Sequence, residues 1–176
     1  MDVCLDVTTL IALGAIGELD LLSRFDGQVV IAETVAAEVN TEPARTNLQR
    51  FCTEAEVDRR SLDATFDDPI AESKRVLDEE DLNGDVVIVA AVLADTAQSV
   101  PVGVVSDNRR VRTVARGLGA TVTGTIGVVV RAVEEGMALE DAKRLLERID
   151  EQGLHMTAEL RETVYRFVEH AVNDRQ

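Results

Sequence analysis

Short apolar runs punctuate the chain, and polar or turn residues close each one. Val3–Leu5 ends at Asp6. Gln28–Ile31 follows the turn Asp26-Gly27. Val102–Val105 lies between Pro101 and Ser106-Asp107-Asn108, and Ala120–Thr123 follows Gly119. Runs this short and this continuous predict strands buried on both faces. The segments between them predict helices: Thr8 to Gly14, Ile16 to Phe25, and Glu33 to Asn40 with Val35 and Val39 on one face. Pro43 to about Arg60 is polar and reads as helical, with Leu48, Phe51 and Val57 as its packing face. Ser61–Phe66 reads equally as a short strand or a loop. Pro69 to about Glu79 places a proline in a first turn. Asp85–Asp95 is apolar almost throughout, and its length and three alanines favour a buried helix over a strand. Arg109 to Leu118 is a helix closed by Gly117 or Gly119, and Gly124 to Glu135 is another. Two more, Leu139–Glu151 and Ala158–Val172, join at Gly153.

Strands alternating with helices predict an α/β fold, a three-layer α/β/α sandwich around a short, mainly parallel sheet. Residues 1–136 carry that pattern. Residues 137–176 form a C-terminal helical extension that packs on it or on a partner. There are no repeats and no low-complexity linker.

Composition narrows the function. The 176 residues are 45% hydrophobic, enough for a sizeable core. No apolar run is long enough to span a membrane, and the first residues lack a basic, signal-like start. Both features predict a cytoplasmic protein. Asp and Glu number 33 against 18 Lys and Arg, a net charge of −15, and the only lysines are Lys74 and Lys143. Acid excess with few lysines predicts a halophilic source, because carboxylates hold water and cations where salt competes for both; an acidic protein with a basic partner is the other reading. The charge argues against broad binding of nucleic acid unless positive charge is local or metal ions intervene.

Cys4 and Cys52 are too few for a disulfide framework, and Cys4 reads as a small core residue. His155 and His170 lie far apart, which excludes zinc spacing and Ser–His or Cys–His nucleophile schemes in the main body. No phosphate-binding G-x-x-x-x-G-K motif, dinucleotide fingerprint or nucleophile elbow occurs.

Carboxylates carry what chemistry there is. Asp6 follows the first strand and Asp107 follows the Val102–Val105 strand, so both emerge at the carboxyl edge of a parallel sheet, where α/β folds place their sites. Glu38 lies on the helix after the second strand and leans back toward that edge. Asp85 opens the buried helix. Four converging acids repel one another unless a cation neutralises them. An all-oxygen donor set selects Mg²⁺ or Mn²⁺, which suits attack on a phosphodiester. Thr8, Ser106 and Asn108 are placed to orient waters or other oxygens around the metal. Each acid also has a plain structural reading: Asp6, Asp85 and Asp107 as helix caps, Glu38 as a solvated residue. Arg109, Arg112 and Arg116 form one helical stripe beside Asp107, suited to phosphates or to internal ion pairs.

On these residues the sequence resembles the PIN-domain nucleases. The matching pieces are LDVTTLI (Leu5–Ile11), VAAEV (Val35–Val39), DVVIVAA (Asp85–Ala91) and VVSDN (Val104–Asn108). The stretch Ser106–Gly136 is similar to a prokaryotic, toxin-like subgroup in which an acidic pair leads into an arginine-containing helix. That subgroup also carries a C-terminal helical extension. The chain departs from the pattern at Ala32, where the family commonly has proline, and at Asp85, where many of the subgroup have glutamate. It departs again at Asp107-Asn108, where two acids are often adjacent, and at a longer insertion over Thr96–Val100. Which of Asp107 and Asn108 is the fourth site residue stays open.

The resemblance implies a Mg²⁺- or Mn²⁺-dependent endoribonuclease, a hydrolase of RNA phosphodiester bonds, with Asp6, Glu38, Asp85 and Asp107 as catalytic metal ligands. It implies an RNA substrate, a small antitoxin partner as in type II toxin–antitoxin pairs, and a homodimer. The alternative is a PIN-fold module that binds RNA or protein without catalysis. A receiver-like phosphoacceptor domain also clusters acids, but neither lysine is placed for one.

Overall fold

The computed structural model describes residues 1–61, 64–153 and 157–173. Five strands form one sheet: β1 (Asp2–Leu5), β2 (Gln28–Ala32), β3 (Val57–Arg60), β4 (Val102–Val105) and β5 (Thr121–Thr123). Their order is β3-β2-β1-β4-β5 and every pairing is parallel. β1 is therefore central, and its register with β4 sets Leu5 against Val105. The strands are so apolar because helices cover both faces: every residue of β4 is buried, as are Val3, Cys4 and Leu5 of β1.

The helices are α1 (Val7–Ala15), α2 (Glu33–Glu38), α3 (Ala44–Glu54), α4 (Asp67–Leu77), α5 (Gly84–Ala97), α6 (Arg109–Gly117), α7 (Thr125–Glu134), α8 (Leu139–Glu151) and α9 (Ala158–Asn173). Helices α4, α5 and α6 pack together on one face, with α5 directly against β1, β2 and β4. Helices α1, α3 and α7 occupy the other. The result is the expected three-layer α/β/α sandwich with C-terminal helices. Helix α5 is apolar on all sides because it is enclosed: Val86 to Val92 are all buried. Gly14 lets α1 meet α3 closely, since a Cβ there would lie 3.1 Å from the Ala44 backbone. Helices α8 and α9 pack on α7, and Leu146, Ile149, Val164 and Val168 join the main apolar core.

Three expectations differ in detail. The segment Ile16 to Phe25 is a 3-10 helix over Leu19–Arg24. The polar helix from Pro43 stops at Glu54, and Val57–Arg60 is the edge strand β3. Its sequence, Val-Asp-Arg-Arg, shows no apolar run because an edge strand has one open side, and Arg60 there joins Asp2 at 2.7 Å and Asp58 at 2.8 Å. Of Ser61–Phe66, residues 62–63 lie outside those described, and Ala64–Phe66 is a 3-10 turn. Among the described residues no helix is long and apolar enough to cross a membrane.

Candidate metal centre

The strand order reverses between β1 and β4, and the crevice beyond their carboxyl ends is where ligands of open parallel sheets bind. Asp6 and Ser106 leave the sheet side by side there, both fully buried. The Asp6 amide still bonds the Val105 carbonyl at 3.0 Å, so the sheet itself sets its position. Asp6 is the residue before α1, yet its carboxylate does not cap that helix. Instead its Oδ2 accepts the Ser106 hydroxyl at 2.6 Å and the Thr8 hydroxyl at 2.8 Å. Its Oδ1 is buried with no hydrogen-bond partner. A bare, buried carboxylate oxygen is costly unless something positive meets it.

The network continues to Asp85. The Asn108 amide N–H donates to Ser106 Oγ at 3.1 Å, and Asn108 Nδ2 donates to Asp85 Oδ2 at 2.7 Å. Asn108 also caps α6, its Oδ1 accepting from the amides of Arg110 and Val111 at 2.9 and 3.4 Å. Asp85 is not the cap of α5: Asn83 does that, accepting the Val86 amide at 3.0 Å. The Asp85 carboxylate is thus left to face the crevice. Burial raises its pKa to about 6, and the nearby charges of Asp6 and Glu38 add to the rise. Glu38, the last residue of α2, is tied to the same place, because its Oε1 accepts the Gly84 amide at 2.7 Å. Gly84 must be small: a Cβ would lie 3.2 and 3.3 Å from the two Glu38 oxygens.

Asp107, next to Ser106 in sequence, pairs with Thr125. Its Oδ1 accepts the Thr125 amide at 3.0 Å and its Oδ2 takes the Thr125 hydroxyl, so it holds the start of α7. Gly124 makes room for it, since a Cβ there would lie 2.5 Å from Asp107 Oδ1. Thr125 also meets the buried Thr9 of α1 at 3.2 Å. The structure therefore joins Asp6, Thr8, Ser106, Asn108 and Asp85 in one hydrogen-bonded network, with Glu38 beside it on the Gly84 amide and Asp107 on Thr125. Sequence reasoning missed Asn83, Gly84 and Thr125. A polar residue two places before an acid that opens an apolar run was the available sign for Asn83.

Among the described residues, no three His, Cys, Asp or Glu side chains form a ready-made cation cage. Glu38 accepts the Gly84 amide, and Asp107 accepts the Thr125 amide and hydroxyl. Two observations nevertheless fit a divalent cation: the partnerless Asp6 Oδ1, and the repulsion that Asp6 and Glu38 exert on Asp85. The donors are all oxygen, as Mg²⁺ and Mn²⁺ require.

On the rim, Arg109, Arg112 and Arg116 make no ion pair with any described residue, and only their neighbour Arg110 is engaged, with Glu79 at 3.1 Å. In a chain with nearly two acids per base, three unpaired arginines on one helix stand out as positive charge left available.

No curated protein matches the sequence significantly. Among solved structures, a chain in the crystal structure of VapBC2 from Rickettsia felis, bound to a DNA fragment from their promoter, is similar. The match covers 70% of this chain and 98% of that one, at 13% identity and a TM-score of 0.46. A family model described as the PIN domain matches residues 2–170. With nearly the whole chain spanned by that model, and with a five-stranded parallel sheet that gathers acids at its switch point, the chain belongs to the PIN-domain family.

Proposed function

We propose that the chain is a Mg²⁺- or Mn²⁺-dependent endoribonuclease. The observation that carries this reading is the buried, partnerless oxygen of Asp6 beside Asp85 and Glu38. Asp6 Oδ1 and the free oxygen of Asp85 are the primary ligands, with Glu38 adjoining. A divalent cation bound there supplies the charge that activates water and stabilises the leaving oxygen of a phosphodiester. Thr8 and Ser106 spend their hydroxyls on one oxygen of Asp6, which fixes the carboxylate plane and aims the other oxygen into the crevice. Asn108 does the same for Asp85 and takes the place of a further acid at lower charge. Asp107 acts through Thr125, positioning α7 at the rim. Arg109, Arg112 and Arg116 meet substrate phosphates and hold the strand across the acids.

The finer reading, a toxin held by a small antitoxin and working as a cytoplasmic homodimer, rests on the family resemblance alone. Co-purification with the product of an adjacent small reading frame tests it. The non-catalytic binding module is favoured by one observation, the diversion of Asp107 to Thr125, which leaves fewer acids in the crevice.

Cleavage of mixed single-stranded RNA with Mn²⁺ decides between them. Wild type should cut. Asp85→Asn should lose more than about a hundredfold, since even the residues that orient metal ligands are worth 10–100-fold. Arg112→Ala should weaken binding and lower its salt dependence by about one phosphate contact. A wild type that cuts nothing across metals and salt establishes the binding module, and an Asp85→Asn variant as fast as wild type puts the chemistry elsewhere.

A further inference from the structure

Resting on the nuclease reading, we propose that the groove between α7 and α9 is the track of a single-stranded RNA substrate, with Phe167 as the platform on which a base stacks. The groove has a volume of about 630 Å³. Asp107 and Arg112 line one part of it, beside the acid crevice, and Phe167, His170 and Ala171 of α9 line another. It therefore connects the rim of the site to α9.

Aromatic residues are scarce here, four Phe and one Tyr in 176 residues. Phe51 is buried, and Phe25, Phe66 and Tyr165 are half-buried against the core. Phe167 alone is exposed, at 58%. Its neighbours on α9, Val164 and Val168, are buried, so the helix is already docked and Phe167 is not needed to hold it. An aromatic face on a groove wall, with a cation further along, is the arrangement by which proteins hold single strands without reading sequence.

Arg112 is the groove's free guanidinium. Arg131 on α7 is spent on Asp26 at 2.6 Å and Glu135 at 3.0 Å, whereas Arg112 has no ion pair among the described residues. A second copy of the chain, or an apolar peptide, needs a broad apolar face. Among the α9 residues whose exposure is described, the other exposed ones are polar: Glu162, Arg166, Glu169 and His170. One exposed ring in the same groove as an unpaired arginine matches a base and a phosphate further along the strand instead.

The test compares Asp85→Asn with Asp85→Asn/Phe167→Ala and Asp85→Asn/Phe167→Tyr, by fluorescence anisotropy with a labelled 12-nucleotide single-stranded RNA. Wild-type cleavage of the same strand with Mn²⁺ and light scattering of every protein run alongside. Phe167→Ala should weaken binding about tenfold, and Phe167→Tyr, which keeps the ring, should restore it to within about twofold. If the parent binds and wild type cuts, but Phe167→Ala binds as tightly as its parent, the track is overturned while the nuclease reading stands. If the parent binds nothing and wild type cuts nothing, the nuclease reading itself falls, and the track with it. A drop from dimer to monomer in Phe167→Ala makes the groove a contact between copies and also overturns the proposal.

Discussion

Asp6 and Asp107 leave neighbouring parallel strands at the same edge, and their carboxylates end in opposite situations. Asp107 has both oxygens occupied by Thr125, whereas Asp6 has one oxygen doubly bonded and one bare. Ser106 is the hinge of this difference, because its hydroxyl donates to Asp6 and accepts from the Asn108 amide. Ser106→Ala leaves Asp6 held by the Thr8 hydroxyl alone and the Asn108 amide unsatisfied. Mn²⁺ affinity, measured calorimetrically, should fall about 10–100-fold while the fold persists. Asp85 carries a second consequence at this scale. Its pKa of about 6 lies above the ordinary 3.8, so the folded chain keeps a proton that the unfolded chain releases. Its contribution to stability is therefore full below about pH 4 and declines as pH rises through about 6. In metal-free denaturation, Asp85→Asn should gain on wild type steadily over that window and hold the gain above it. Mn²⁺ titrated into wild type near pH 5.5 should release protons that it does not release near pH 7.5.

Helix starts divide the labour among elements. Asn83 caps α5 and Asn108 caps α6, which frees Asp85 for the crevice. Helix α7 has only glycine at its cap, and Asp107 serves it from another segment. Asp107→Ala should then act as the loss of a cap, costing about 1 kcal/mol and lowering Tm by roughly 2–4 °C. Mn²⁺ binding should survive. Asp85→Asn should show the reverse, an unchanged or higher Tm with binding lost. Equal loss of Mn²⁺ binding in both variants would return Asp107 to the ligand set. Edge strand β3 follows another logic. Its backbone pairs with β2, and its Arg60 lies between Asp58 of the same strand and Asp2 of β1 and stays charged, so an ion pair to Asp2 adds to the ladder where an apolar run is lacking.

Across the whole molecule the governing feature is the net charge of −15. Many arginines, such as Arg45, Arg75 and Arg144, are spent on single acids at the surface, and exposed pairs contribute little each. Repulsion among the remaining acids is long-ranged and screened by salt. Melting temperature should rise from low to molar KCl, and a value flat or falling with salt would remove the halophilic reading. Screening should weaken the hold of the arginine stripe on RNA at the same time, so stability and RNA affinity should move in opposite directions along one salt series.

Much of the fold was legible in the residues. Runs such as Val102–Val105 and the all-apolar α5 have one physical use, burial between layers, and their order along the chain dictates parallel strands with helical crossovers. Acids that follow strands directly, such as Asp6, were legible for the same reason, because the sheet edge sets where they stand. Edge strand β3 was not legible, because Arg60 meets Asp2, 58 residues away, only once β3 lies beside β2. The partners of the acids were not legible either. Asp107 meets Thr125 18 residues away, Ser106 meets Asp6 at a separation of 100, and Glu38 meets Gly84 at 46. Local patterning determines which residues are buried and which strand or helix they form. Which carboxylate oxygen is left bare depends on donors brought from distant segments, and only the packed tertiary structure decides that.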